Sequence, residues 1–173
     1  VAIHEQLCAA VDGRRGLAAA DSLCEACVTL FSIDAAAISL IFAGGSSGTL
    51  GSSGATARTY DELQFTFGEG PCLDSVAQRA PILVADLANA NDVRWPAYGP
   101  AMLDHKIRGI FAIPVVVAGE FVGALDLFRA QPGELHVEHL AGAVVAAELA
   151  GIPLLDLMHS DLQAAVNDPD SDA

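Results

Sequence analysis

A chain of 173 residues with 53% hydrophobic but only 6% aromatic side chains can bury a core of its own, built from Ala, Val, Leu and Ile with few large anchors. Its formal charge of −14, from 8 basic and 22 acidic residues, argues against a surface that neutralises phosphates and against docking on anionic lipid. Direct nucleic-acid binding and membrane binding are therefore not expected, and the one basic doublet, Arg14–Arg15, does not change that.

Mean hydropathy is high, at +0.44. The most apolar stretch, 140–155, is interrupted by Glu148 and Pro153 and falls short of the roughly 18 uncharged apolar residues of a spanning helix. Residues 1–15 contain Glu5 and Asp12 without an apolar block, unlike a signal peptide, so the expected location is cytoplasmic. Cys8, Cys24, Cys27 and Cys72, in a chain this rich in core residues, read as reduced thiols.

Taken in chain order, Ile3, Leu7, Ala10 and Val11 have helical spacing. A stronger helix is predicted over 17–31, with Leu17, Ala20, Cys24, Cys27, Val28 and Phe31 on one stripe. Residues 36–43 (AAISLIFA) predict a strand. The Gly/Ser-rich stretch 44–54 predicts a hairpin turn with a weak second strand. A short helix over 55–63 leads to Gly68-Glu69-Gly70-Pro71, where Pro71 is preorganised to start a helix over 72–79. Residues 81–87 predict another strand, 89–94 a polar loop, and Pro96 starts a helix running to about Lys106. The clearest strands, 109–118 and 121–129, are joined by Gly119-Glu120 as a tight hairpin. A helix over 135–150 is expected to break at Pro153, with one more helical segment over 154–166 and an acidic, disordered tail over 167–173.

Strands joined by a tight turn cannot be parallel. The order therefore predicts an α+β domain with a central antiparallel sheet and helices packed on it. The domain is expected over 1–155, followed by a C-terminal helical segment and tail over 156–173.

Five pieces of sequence carry a resemblance: Leu63-Gln64-Phe65 through Gly68-Glu69-Gly70-Pro71-Cys72-Leu73-Asp74; Ala80 through Leu87; Arg94-Trp95-Pro96-Ala97-Tyr98; Phe111-Ala112-Ile113-Pro114; and Gly123-Ala124-Leu125-Asp126-Leu127. Together they resemble the GAF domains of actinobacterial GAF–ANTAR regulators, over about Gly16 to Ala150. The resemblance implies a mostly antiparallel sheet of about six strands, terminal helices on one face and a small-molecule pocket on the other. It further implies a regulatory sensor role without catalysis. The ANTAR segment, an RNA-binding helical antiterminator, finds no counterpart in the acidic residues 156–173, so RNA binding is not implied.

On that pattern the candidate ligand-binding residues are Cys72, Asp86, Trp95, Tyr98, Phe111, Ile113 and Asp126, with no cofactor or metal expected. Cys72, at the start of a predicted helix, stands where the dipole favours a thiolate. The alternative is a thiol enzyme resembling free methionine-(R)-sulfoxide reductases, also of GAF fold. Those use a second cysteine around 96–101, where this chain has none. Cys24 and Cys27 form a C-x-x-C on an apolar helical stripe, which reads as two small buried hydrophobes. Glu69, Asp74 and Asp86 are candidate acid/base groups with structural alternatives at a helix start and a strand end. Asp126, inside an apolar strand on the face assigned to Val122, Ala124 and Phe128, needs a partner: a pocket, the backbone or an arginine. Trp95 and Tyr98 suit a ligand lid or plain helix packing. His105 is nearest to where an axial haem ligand would stand, but a solvated helix end explains it. The nearly all-apolar helix over 135–150 has more apolar surface than one sheet face can cover. A homodimer through the terminal helices is therefore expected, with an unidentified small molecule as the other partner. A ligand-free dimerisation module is the further alternative, and it predicts large side chains filling the pocket.

Overall fold

The computed structural model describes residues 2–41 and 47–167, with side chains through His159. Two helices, α1 (Ala2–Val11) and α2 (Gly16–Phe31), lead into β1 (Ala35–Leu40) and β2 (Gly48–Ser52). Next come α3 (Ala55–Phe67), α4 (Pro71–Gln78), β3 (Ile82–Val84) and α5 (Tyr98–Asp104). The chain continues through the hairpin β4 (Gly109–Val117) and β5 (Glu120–Arg129) into the long helix α6 (Val137–Asn167).

The strands form one antiparallel sheet in the order β2-β1-β5-β4-β3. Among the described residues it has five strands, where the resemblance implied about six. Residue patterning alone pointed to these five; the sixth came only from the resemblance. Positions 42–43 of the expected 36–43 strand, 44–46 of the expected 44–54 hairpin and 168–173 of the expected 167–173 tail lie outside the described residues, while Asn167 ends α6.

Side chains alternate across the sheet, and each face builds its own core. On one face α1, α2 and α6 cover Ile38, Phe111, Ile113, Leu125 and Leu127 with Leu7, Leu23, Cys24, Cys27, Phe31 and Leu154. On the other, α3, α4 and α5 cover Ala35, Ala37, Ile110, Ala112 and Phe128. The register decides which residue goes where. Phe111 pairs with Leu127, Ala112 with Asp126 and Ile113 with Leu125. Phe111 and Ile113 therefore face the terminal helices, and their expected place beside Asp126 is corrected. Val122 also leaves the Asp126 face: Val115 pairs with Gly123 and Val116 with Phe121, so Val122 is an extra residue in a bulge and joins the helix-side core.

Pro153 does not end the last helix. The helix α6 runs unbroken from Val137 to Asn167, so the boundary expected at 155/156 falls inside it. A proline within a helix costs about 3 kcal/mol. Pro153 and its neighbour Leu154 are both buried, and Leu154 packs against Gly123. Burying each such side chain contributes about 1.5–3 kcal/mol, enough to offset the lost hydrogen bond. Gly123 is required by its neighbour strand, since a Cβ there would collide with the Ser39 carbonyl on β1.

Candidate functional site

Where β1, β5 and β4 run side by side, the face away from α6 carries small or short side chains. Ala37 stands opposite Asp126, Ser39 opposite Ala124, and Ala112 on the far side of Asp126. Small residues let the covering helices come close. Asp61 and Gln64 reach in from α3, on the buried stripe that also holds Ala57 and Tyr60. Cys72 comes from the first turn of α4 and Tyr98 from the first turn of α5. Ser39, Asp61, Gln64, Cys72, Tyr98 and Asp126 are all fully buried.

Asp61 is the hub of this cluster. Its two oxygens accept from the Ser39 hydroxyl at 2.8 and 2.7 Å, from the Thr49 hydroxyl at 2.5 Å and from the Gln64 amide at 3.1 Å. The Ser39 oxygen also lies 3.0 Å from Asp126 Oδ2. One hydroxyl has one proton to give, so Ser39 cannot satisfy both carboxyl groups. Asp126 Oδ1 meets no donor among the described residues. The salt bridges found there, Arg15–Asp156, Arg58–Glu62, Arg94–Asp92 and Arg108–Asp86, reach neither acid. Burial first, then the charge of Asp61 and a hydrogen bond to it, pushes the Asp126 carboxyl well above the usual carboxylate range. The same burial, reinforced by Asp126 and Asp61, raises the Cys72 thiol well above its ordinary value. The helix N-terminus does not overcome that, so the sequence-based expectation of a favoured thiolate is corrected. Desolvation by the low-dielectric interior is the larger effect.

Gln64 links the cluster to the turn that precedes α4. Its side-chain oxygen accepts from the Cys72 backbone N–H at 2.9 Å. Gly70 sits beside it at φ +146, where a Cβ would strike the Gln64 side chain. This glycine is required twice over, by conformation and by space.

One layer outward, Trp95 is nearly buried and its indole N–H donates to Asp74 Oδ2 at 3.0 Å. Glu69 Oε1 accepts from the backbone N–H groups of Ala97 and Tyr98 at 2.6 and 2.8 Å. Two of the candidate acid/base groups thus hold the segment leading into α5. Between that segment and α5 lies a cavity of about 330 Å³, lined among others by Leu87, Asn89, Asp92, Trp95, Gly99 and Leu103. Its volume lies at the small end of the range for small-molecule sites, roughly 300–1,000 Å³.

The structure thus brings Cys72, Tyr98 and Asp126 together in a closed cluster and sets Trp95 on a neighbouring open cavity. Asp86 belongs to neither. Both its oxygens bind Arg108, at 2.8 and 2.7 Å, and it also accepts from Ala88 N–H at 3.0 Å. It holds the segment just before the cavity-lining Leu87 and Ala88. Tyr98 is core packing, its hydroxyl donating to the Tyr60 carbonyl at 3.3 Å. His105 is exposed at the end of α5, its ring 5.5 Å from that of Tyr60. Cys24 and Cys27 are buried across the sheet, their thiols raised by burial, that of Cys27 to about 12. Residue reasoning missed Ser39, Thr49, Asp61 and Gln64. The available signal was the period of α3, which puts Asp61 and Gln64 on one stripe with Ala57.

A profile described as "GAF domain" matches residues 18–154. The chain belongs to the GAF domain family. Among solved structures, this GAF domain is similar to the GAF domain from a phosphoenolpyruvate-protein phosphotransferase of Coxiella burnetii, at 21% identity, covering 95% of each chain, with a TM-score of 0.70. It is similar to the free methionine-R-sulfoxide reductase of Neisseria meningitidis solved with its substrate, at 13% identity, covering 91% of this chain and 89% of that one, TM-score 0.66. It also resembles a domain of a two-component sensor histidine kinase protein of Sinorhizobium meliloti 1021, at 16% identity, 81% and 91% coverage, TM-score 0.59. At these identities the likeness establishes the GAF fold. No match was found among curated proteins.

Proposed function

We propose that this GAF domain, a sensor and regulatory module by family, takes a small molecule in the cavity beside Trp95 and signals through its terminal helices as a homodimer, without turnover of its own. The observation that carries the reading is the cavity: mostly apolar walls, a few polar groups such as Asn89 and Asp92, and an aromatic side chain at its edge. The non-catalytic part is supported by the burial of Cys72 and by the place of Cys8, Cys24 and Cys27 on α1 and α2, which cover the opposite face. The resemblance to GAF–ANTAR regulators favours transcription regulation as the output. Strand β4 offers a mechanical link, since Ile110 and Ala112 touch the site side while Phe111 and Ile113 pack toward the terminal helices. A ligand shifts that equilibrium only by its difference in affinity for the two arrangements.

Trp95 is the single tryptophan, so its emission reports on the cavity. Gly99 lines the cavity with open space where a Cβ would stand. A Gly99→Leu variant therefore fills the cavity without a collision at its Cβ. Among amino acids, nucleotides and small anions, a true ligand raises the melting temperature by mass action, changes Trp95 emission, and loses both effects in Gly99→Leu. A ligand whose effects survive Gly99→Leu overturns this location. If none of the compounds has an effect, the ligand-free interaction module is favoured.

A further inference from the structure

We propose that the closed cluster on the inner sheet face is a metal site, holding one divalent first-row transition-metal ion of the zinc class through Cys72 Sγ and one carboxylate oxygen each from Asp61 and Asp126. It is distinct from the Trp95 cavity and stands or falls separately from the sensor reading.

Two independent observations point there. The first is convergence: the three ligand atoms come from α3, α4 and β5, all fully buried, and lie within 4.8 Å of one another. With metal–sulfur and metal–oxygen distances of about 2.3 and 2.1 Å, two ligands of a tetrahedral ion stand roughly 3.6 Å apart. The cluster therefore needs only a modest contraction. The second is the orphan oxygen: Asp126 is fully buried, and its Oδ1 has no hydrogen-bond donor among the described residues. Buried polar atoms are nearly always satisfied, so this oxygen is free to serve as a ligand atom.

Charge and donor chemistry narrow the ion. As ligands, two carboxylates and a thiolate would carry three negative charges in a space where no arginine or lysine is bonded to them among the described residues, and a dication compensates two of them. The sulfur ligand selects against magnesium and calcium, which take oxygen shells of six or more. The support around Asp61 has the form expected of outer-shell partners. Ser39, Thr49 and Gln64 all donate to its carboxylate, fixing its orientation as a ligand. A site this enclosed fills during folding, with release of the protons that the ligands would otherwise carry.

The test uses the full chain, unfolded in chelator and refolded with cobalt(II), whose thiolate complexes show near-ultraviolet charge-transfer absorption. The expected result is one cobalt per chain, a charge-transfer band displaced by zinc, and a lower melting temperature in chelator. Cys72→Ser is expected to lose the band and Cys27→Ser to keep it. Ser39→Ala leaves all three ligands in place and is expected to weaken binding about 10–100-fold; it serves as the readout should Cys72→Ser not fold. A folded wild type without the band overturns the proposal in favour of a proton shared between Asp61 and Asp126. A band that persists in Cys72→Ser overturns it in favour of the other cysteines. Neither result touches ligand binding at Trp95.

Discussion

Asp86 and Arg108 meet through two parallel hydrogen bonds on the segment that leads into the cavity wall. The Arg108 hydrogen bonds, then the Ala88 N–H, hold the Asp86 carboxyl below its ordinary value. A depressed folded-state value gives stability that is present above the unfolded value, about 3.9, and is lost as pH falls through the folded one. Asp86→Asn is therefore expected to lower the melting temperature at neutral pH. The gap to wild type should shrink from about pH 4 downward. A gap that stays constant down to acid unfolding would show that the pair contributes nothing through charge. The loss should be small, because both side chains are substantially exposed and water screens such pairs. Gly99 poses the opposite case. It lies within α5, with free space around its missing Cβ, so Gly99→Ala is expected to raise stability by about 0.5–1 kcal/mol through helix propensity. A denaturant midpoint unchanged or lowered in that variant would mean the backbone there needs glycine for another reason.

At the scale of elements, the turn into α4 joins the buried cluster to the outer layer. Gly70 at φ +146 lies against Gln64, which binds both the Cys72 backbone and Asp61. Gly70→Ala is expected to cost about 1–3 kcal/mol from the backbone conformation alone. Displacing Gln64 adds to that, and the effect should be read as a lower denaturant midpoint with unchanged slope. A midpoint within error of wild type would show that the turn relaxes freely. This turn was legible in Gly68-Glu69-Gly70-Pro71, because turn chemistry is local; the β4–β5 hairpin was legible too, but its turn residues are Ala118 and Gly119, both at positive φ, one position before the expected Gly119-Glu120. The face assignment was not. Strand β4 is apolar on both sides, so nothing in its own residues says that Phe111 and Ile113 face α6 while Ala112 faces Asp126; only pairing with β5 decides it. Asp61 escaped notice because its partners Ser39 and Asp126 are distant in sequence and meet it only once α3 lies across the sheet. Pro153 misled for a related reason: its local preference is outweighed by burial of the residues around it.

Across the whole molecule, α6 carries two faces with different destinations. Ala143, Ala146, Ala147, Ala150 and Leu154 are buried against α2 and the sheet. Opposite them Val137, Ala141, Val144, Glu148, Ile152, Leu155 and His159 are all exposed, at steps of four, three, four, four, three and four residues. Val137, Val144, Ile152 and Leu155 remain 79%, 41%, 52% and 42% exposed. By length and composition alone, Val137–His159, with a mean hydropathy of 1.8, could cross a membrane. Its apolarity is equally accounted for by the core on one side and the exposed seam on the other. A seam with that spacing follows the eleven-residue repeat by which helices can pair along their length. In the proposed homodimer, a second copy would meet the same seam about a two-fold axis; the same helix already touches β4 and β5. The expected outcome is a dimer of about twice 17.8 kDa in sedimentation at micromolar concentration. Ile152→Glu and Val144→Glu, which put charge into the seam without touching the buried face, should raise the dimer dissociation constant at least about tenfold, or ~1.4 kcal/mol, at little change in the monomer's own stability. A wild-type chain that sediments as a monomer would remove the dimer from the proposed signalling route. A dimer indifferent to both substitutions would move the interface off α6, and with it the path by which the Trp95 cavity reaches a partner.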